Sequence, residues 1–250
     1  METILLYALV GFVAQMIDGA LGMAYGVSSN TFLLSMGVPP AIASASVHIA
    51  EMFTTGISGL SHFRLGNVDA EVFKRLIVPG VLGGVLGAYV LTTLPSDVIK
   101  PLVSLYLLIM GVRILLMAWK KLEVHDREPA HWFIPLGLAG GFLDAIGGGG
   151  WGPIVTTTLV ASGRLPHKMI GSVNASEFFV TLAESVTFLL TLGTALSQHW
   201  QSVLGLLSGG IIAAPLAAYV CRKLPTRVLL VLVGAVIILL SLRTLYLAWF

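Results

Sequence analysis

Gly140-Gly141-Phe142-Leu143-Asp144-Ala145-Ile146-Gly147-Gly148-Gly149-Gly150-Trp151-Gly152-Pro153 stands between long apolar runs, and its consecutive glycines followed by Trp-Gly-Pro interrupt any helix drawn through them. The arrangement has an earlier copy. Sliding the chain on itself by 126 residues places Asp18 on Asp144, Gly22 on Gly148, Gly26 on Gly152, Gly37 on Gly163, Pro40 on Pro166, Ser46 on Ser172 and Glu51 on Glu177 without a gap. Further along the offset becomes 130, pairing Tyr89 with Tyr219, Pro95 with Pro225, Arg113 with Arg243 and Trp119 with Trp249. Two homologous halves, 1–123 and 131–250, are therefore expected, joined by a charged linker at 124–130.

The composition fixes where such a chain can live. Of its 250 residues 56% are apolar and 10% charged, with a mean hydropathy of +0.94, whereas a soluble domain is about 25% charged. The chain reads as an integral, all-α polytopic membrane protein. At about 20 residues per crossing it has room for at most about eight or nine helices and for no extramembrane domain. A net charge of +2 on scattered basic residues excludes a nucleic-acid surface. The single cysteine, Cys221, excludes an internal disulfide and a cysteine metal cluster. Met1-Glu2-Thr3 lacks the positive run of a cleavable signal, so the first apolar stretch is expected to stay.

Stretches 41–61, 76–93 and 101–119, and their counterparts 169–192, 203–221 and 228–249, are each long enough to cross. The opening stretch of each half is different. Ile4 to Ile17 and Met23 to Met36 flank an interruption at Asp18–Gly22, and the second copy is interrupted over Asp144–Pro153. Each short arm spans about 21 Å against a hydrocarbon core of about 30 Å. Either each opening stretch is one broken crossing, or it is a re-entrant hairpin.

Basic residues separate these topologies, because they accumulate on the cytoplasmic side. With broken crossings, Arg64, Lys74, Arg75, Lys120, Lys121 and Arg127 oppose Lys100, Arg164, Lys168, Arg222, Lys223 and Arg227, a tie. With hairpins, all of these except Lys100 share one side. The expectation is thus two four-segment repeats, inverted relative to each other, each with a glycine-broken hairpin and three full crossings. The termini lie outside, the linker is cytoplasmic and the protein sits in the cytoplasmic membrane. Inverted repeats with discontinuous helices are a recurrent plan for secondary transporters, and a simple eight-crossing chain is the alternative.

Five carboxylates lie inside apolar stretches: Asp18, Asp144, Glu51, Glu177 and Glu184. A charge at a helix centre costs about 2.5 to 3.5 kcal/mol on insertion scales, so such groups are functional candidates. At the interruptions, Gly22 to Gly26 and Gly147, Gly148, Gly149 and Gly150 leave N–H groups at the start of the following arms, which would make two facing anion cradles; close helix packing is the other use of such glycines. Asp18 and Asp144 are placed to cap the second arms or to couple a cation. His48, Glu51 and Thr55 share a helical face with Ser44, and Asn174, Glu177, Thr181 and Glu184 form the second stripe. Glu51 and Glu177 are candidates for substrate or proton handling. Arg113 and Arg243 read as snorkelling side chains, and Trp119, Trp132, Trp200 and Trp249 as interfacial anchors. Neither a His-Glu-x-x-His motif nor a Gly-x-Ser-x-Gly elbow nor a phosphate-binding Gly-Lys-Ser/Thr loop occurs, so the chain does not read as an enzyme.

At the interruptions and the helix after each, the sequence resembles the TauE/SafE family of sulfite and organosulfonate exporters. The residues are the stretch quoted first, then Gly171-Ser172-Val173-Asn174-Ala175-Ser176-Glu177-Phe178-Phe179. In the first copy they are Ile17-Asp18-Gly19-Ala20-Leu21-Gly22-Met23-Ala24-Tyr25-Gly26 and Ser46-Val47-His48-Ile49-Ala50-Glu51. The resemblance implies a permease, commonly eight-helical, for small sulfur-containing anions. The anion is expected between the hairpin tips, held by backbone N–H groups with Ser46, Ser172, His48 and Asn174, and exported as the halves rock. Met23 and Ala24 replace Gly149 and Gly150, which makes the first cradle the looser one. The expected partners are the small anion and membrane lipid, without nucleic acid, cofactor or resident metal, and the oligomeric state is left open. The runner-up is a cation or proton-coupled metal-ion transporter using Glu51, Glu177 and His48.

Overall fold

The structure, a computed structural model, describes residues 2–21, 23–119, 132–162, 165–220 and 226–249. Gly22 and the linker expected at 124–130 lie outside the described residues. All regular elements among the described residues are helical. They are α1 (Glu2–Leu21), α2 (Tyr25–Ser35), α3 (Pro40–Arg64), α4 (Ala70–Thr93), α5 (Ser96–Met117), α6 (Phe133–Gly147), α7 (Thr157–Ala161), α8 (Pro166–Leu192), α9 (Thr194–Ser197), α10 (Trp200–Val220) and α11 (Thr226–Trp249). A π-helical turn, Gly152–Thr156, leads into α7. Among the described residues α4, α5, α8 and α11 are long and apolar enough to cross a membrane, so the protein is a multi-pass membrane protein. α3 has 25 residues but buries Ser44, Ser46, His48, Glu51, Thr54 and Thr55 within its length.

Both interruptions are narrower than the sequence suggests. α1 continues through Asp18 to Leu21, and α6 continues through Asp144 to Gly147. Among the described residues, non-helical backbone at the interruptions is confined to Met23 and Ala24 and to Gly148–Gly150, with Trp151 already helical. The reason is the cost of unpaired N–H and C=O groups away from water, which holds glycine and aspartate in the helix until another partner is at hand. At 1.5 Å per residue α1 is about 30 Å long and α6 about 22 Å.

The helices pack in exchanged pairs. α1 lies along α10, and α6 along α4. Both pairs run parallel: Tyr7 and Ala8 face Gly205 and Gly209, while Leu138, Gly141 and Phe142 face Gly83, Gly84 and Gly87. At these crossings a Cβ on Gly141 would collide with the Gly80 backbone and one on Gly209 with that of Ala8, so small residues let the helices approach where no water is expelled to drive them together. α3 and α8 cross antiparallel, with Gly59 on Ala175, Gly56 on Phe178 and His48 on Phe188. α8 runs parallel to α4 through Val180 on Gly80 and Glu184 on Gly84. α5 and α11 run antiparallel through Gly111 on Ile237 and Leu115 on Gly234.

Each second arm is pinned at both ends. Tyr25 and Trp151, a repeat-related pair, are buried where the arms begin, and their polar atoms donate to Leu206 O at 3.2 Å and Val173 O at 3.2 Å. Arg243 donates to Ser35 O at 2.5 Å, and Arg113 to Thr157 Oγ1 at 2.5 Å. These arginines therefore hold the arms rather than snorkel, and at the end of α2 the guanidinium meets the negative end of the helix dipole. Trp119, Trp132 and Trp200 are exposed near helix ends.

Candidate functional site

The two interruptions meet. Gly26, at the start of α2, lies against Gly148 and Gly149, and any Cβ on it would strike their backbone. Asn30 of α2 donates to Gly147 O at 2.5 Å and fills the space beside Gly148, while Tyr106 of α5 covers Gly147 and Gly150. Gly148 and Gly149 have φ of 63° and 145°, the second a conformation that only glycine adopts without strain.

The N–H groups of the second tip already have an acceptor. Asp144 Oδ1 accepts from Gly150 N at 2.5 Å and Trp151 N at 2.9 Å, and its backbone O accepts from Gly149 N at 3.0 Å. Asp144 thus caps the second arm, and its carboxylate occupies the position in which an anion would be cradled. In the first copy Asp18 lies within reach of the Tyr25 backbone N–H.

A cluster of buried ionisable side chains adjoins this junction. His48 Nε2 lies 2.9 Å from Glu184 Oε2 and 3.5 Å from Asp144 Oδ2, with all three side chains at 1% exposure or less. Ser44 O lies 2.8 Å from His48 Nδ1, and a carbonyl can only accept, so Nδ1 carries a proton. The hydroxyl of Ser44 donates to Ala145 O at 2.5 Å, tying α3 to the end of α6. Gly84 leaves the space that Glu184 occupies. Glu51 and Glu177 are buried and feel the charges of Asp18, Asp144 and Glu184. Two carboxylates about 5 Å apart repel by about 3 kcal/mol at an effective dielectric of 20, so such a centre has to take up positive charge.

Not every expected residue reaches the junction. Gly26, Gly147, Gly148, Gly149, Gly150, His48 and Asp144 do, while Gly22 is outside the described residues. Ser46 donates to Ile42 O within its own helix. Ser172 accepts from Asp69 N at 2.7 Å at the start of α4, and Asn174 donates to Ser58 Oγ at 3.2 Å. Ser58 lies about 15 Å along α3 from His48, so Ser172 and Asn174 stand at a different level. Sequence reasoning passed over Asn30 and Tyr106. Asn30 carried a signal, a buried amide in an apolar arm; Tyr106 carried none, because its offset-130 partner is Val236.

The family profile described as "Sulfite exporter TauE/SafE" matches residues 7–244. A Bacillus subtilis protein described as "Probable membrane transporter protein YtnM" is 45% identical over 255 residues, spanning 100% of this chain and 85% of that protein. A Sinorhizobium protein described as "Probable membrane transporter protein ORF9" is 26% identical over 233 residues, spanning 87% and 89% respectively. No solved structure matches the chain. The chain belongs to the TauE/SafE sulfite exporter family of membrane transporters.

Proposed function

We propose that the protein is a secondary transporter which moves a small sulfur-containing anion outward across the cytoplasmic membrane, by alternating access between two inverted repeats whose hairpin tips meet at the centre. The observation that carries this reading is the junction of Gly26 with Gly148 and Gly149 beside His48, Asp144 and Glu184. α1 starts beside the start of α10, and α2 ends beside the end of α11. Following the helix directions, both of these lie at one end of the bundle, whereas α6 starts and α7 leads into α8 at the other. That supports two hairpins entering from opposite faces. It also puts Arg64, Lys74, Arg75, Lys168 and Arg227 at one end and Lys100 at the other, the distribution of a cytoplasmic and an outer face.

Cysteine labelling tests the hairpins. With Cys221 replaced by serine, Met36→Cys and Ser162→Cys are expected to react from opposite faces of the membrane. Reaction from the same face would establish the eight-crossing chain instead.

The electrostatics favour a cation or proton at the centre alongside the anion. An anion entering a centre of five carboxylates must bring positive charge or find the carboxylates neutralised. With the interior negative, net outward movement of negative charge gains about 2.3 kcal/mol per charge per 100 mV, which favours export where the anion carries more charge than the cation that accompanies it. A second reading, transport of a metal cation itself, is favoured by the convergence of His48, Asp144 and Glu184.

Thermal unfolding of the purified protein separates the two. Sulfite, thiosulfate or sulfoacetate is expected to stabilise the protein by about 2.7 kcal/mol at a hundredfold excess over its dissociation constant. Bulky replacement of Gly148 should abolish this stabilisation. No response to any sulfur anion, with stabilisation by a metal cation, would transfer the function to the second reading.

A further inference from the structure

We infer that His48 Nε2, Asp144 Oδ2 and a carboxylate oxygen of Glu184 form a binding site for one divalent transition-metal ion between α3, α6 and α8. The inference rests on the transporter reading in one respect: the ion supplies positive charge that an anion at this centre requires.

The three groups turn buried polar atoms toward one another: Nε2 of the imidazole and an oxygen of each carboxylate. With Nδ1 of His48 donating to Ser44 O, Nε2 is the ring atom that faces the two carboxylates, and a metal ion bound there would take the place of any proton on it. Carboxylates accept only. Asp144 Oδ2, both oxygens of Glu184 and His48 Nε2 are buried without a hydrogen-bond partner, although Nε2 and Glu184 Oε2 are 2.9 Å apart. At that distance a missing hydrogen bond is a matter of direction. The ring nitrogen and the oxygen are as close as in an ion pair but are not aligned as a well-directed hydrogen bond.

Geometry, charge and donor type then converge on the ligand. One atom from each residue can be chosen so that all lie within 4.8 Å of one another. Ligands about 2.1 Å from a tetrahedral ion stand about 3.4 Å apart, and the Nε2 distances of 2.9 and 3.5 Å bracket that spacing. Two carboxylates and a neutral imidazole carry a charge of minus two. A divalent ion cancels it, whereas a monovalent ion leaves a buried net charge. One nitrogen with two oxygens suits ions of the zinc, manganese and cobalt type better than sodium or magnesium, which take oxygen alone. The hydrogen bond from Nδ1–H to a backbone carbonyl is the outer-shell contact that orients a metal-binding histidine.

Repeat symmetry makes the site single. Shifted by 126 residues, His48 becomes Asn174, Glu184 becomes Ser58 and Asp144 becomes Asp18. Asn174 and Ser58 do meet, as the amide-to-hydroxyl bond at 3.2 Å. The ionisable pair in one copy of the contact is thus a neutral pair in the other. The asymmetry of His48 against Asn174, visible in the sequence, is the difference between a metal site and a helix contact.

The test is titration of the full-length purified protein, with any affinity tag removed, with Co2+ followed by visible absorption. The expected result is one Co2+ per chain with the intense bands of a low-coordinate site, displaced by Zn2+. His48→Gln and Glu184→Gln should each weaken binding at least about 100-fold, and Ser58→Ala should bind as the parent does. Folding of each variant is read from metal-free thermal unfolding, and Glu184→Gln, which keeps the side-chain shape, carries the test if His48→Gln does not fold. Absence of Co2+ uptake by the folded parent overturns the site, as does uptake unchanged in Glu184→Gln. Stabilisation by sulfur anions, measured on the same samples, separates the two failures: if it persists without Co2+ uptake, the metal site falls and the transporter reading stands.

Discussion

Asp144→Ala is expected to destabilise the protein by about 4 kcal/mol, measured as the loss of unfolding free energy in detergent. The carboxylate of Asp144 is the acceptor for two N–H groups, Gly150 and Trp151, at the start of the second arm. Both residues are buried, and water cannot take over. A buried donor left without a partner costs about 1 to 3 kcal/mol, and two are orphaned here. Asp144→Asn keeps an acceptor oxygen in place, so its cost should be about 1 to 2 kcal/mol. Equal losses in the two variants would mean that charge, rather than capping, is what the tip requires.

Gly149→Ala is the second large effect, and its expected cost is about 3 kcal/mol or more. The residue has φ of 145°, and its Cβ would fall onto the backbone of Gly26 and Val27 at the start of α2. The conformation alone costs about 1 to 3 kcal/mol for a residue with a side chain. The collision adds to it, because backbone cannot turn aside as a flexible side chain can. Gly37→Ala provides the comparison: φ is 87°, but nothing lies within 4 Å of the added carbon, so only the conformational cost of about 1 to 2 kcal/mol is expected. If the two variants were equally stable, the contact between the tips would not be a determinant of the fold.

The pairing of Asp144 with its own arm was readable from the sequence. An aspartate a few residues ahead of an interrupted helix in a membrane has few other partners that satisfy the orphan N–H groups. The open anion cradle was not readable in the same way. Its N–H groups are consumed by Asp144, and the space that the glycines leave is filled by Asn30, Tyr106 and the other tip. Glycine in a membrane protein marks where something comes close, and the sequence does not say whether that is a ligand or another stretch of backbone. Ser172 and Asn174 illustrate the same limit from the other side. They share a helix with Glu184, but the 1.5 Å rise per residue carries them about 15 Å or more from it, to the contacts with Asp69 and Ser58.

By itself the sequence determined the membrane setting, the helical class, the positions of the long helices to within a few residues and the doubled motif. These follow from apolar length and from residues compared along one dimension, which is how a bilayer also reads a chain. The tertiary structure alone decided that α1 pairs with α10 and α6 with α4, that Arg113 and Arg243 grip the second arms, and that His48 of α3 faces Asp144 of α6 and Glu184 of α8. Those contacts join residues roughly 45 to 210 positions apart. They are set by which helix surfaces carry glycine and can approach, a property of two faces together that neither run of sequence contains.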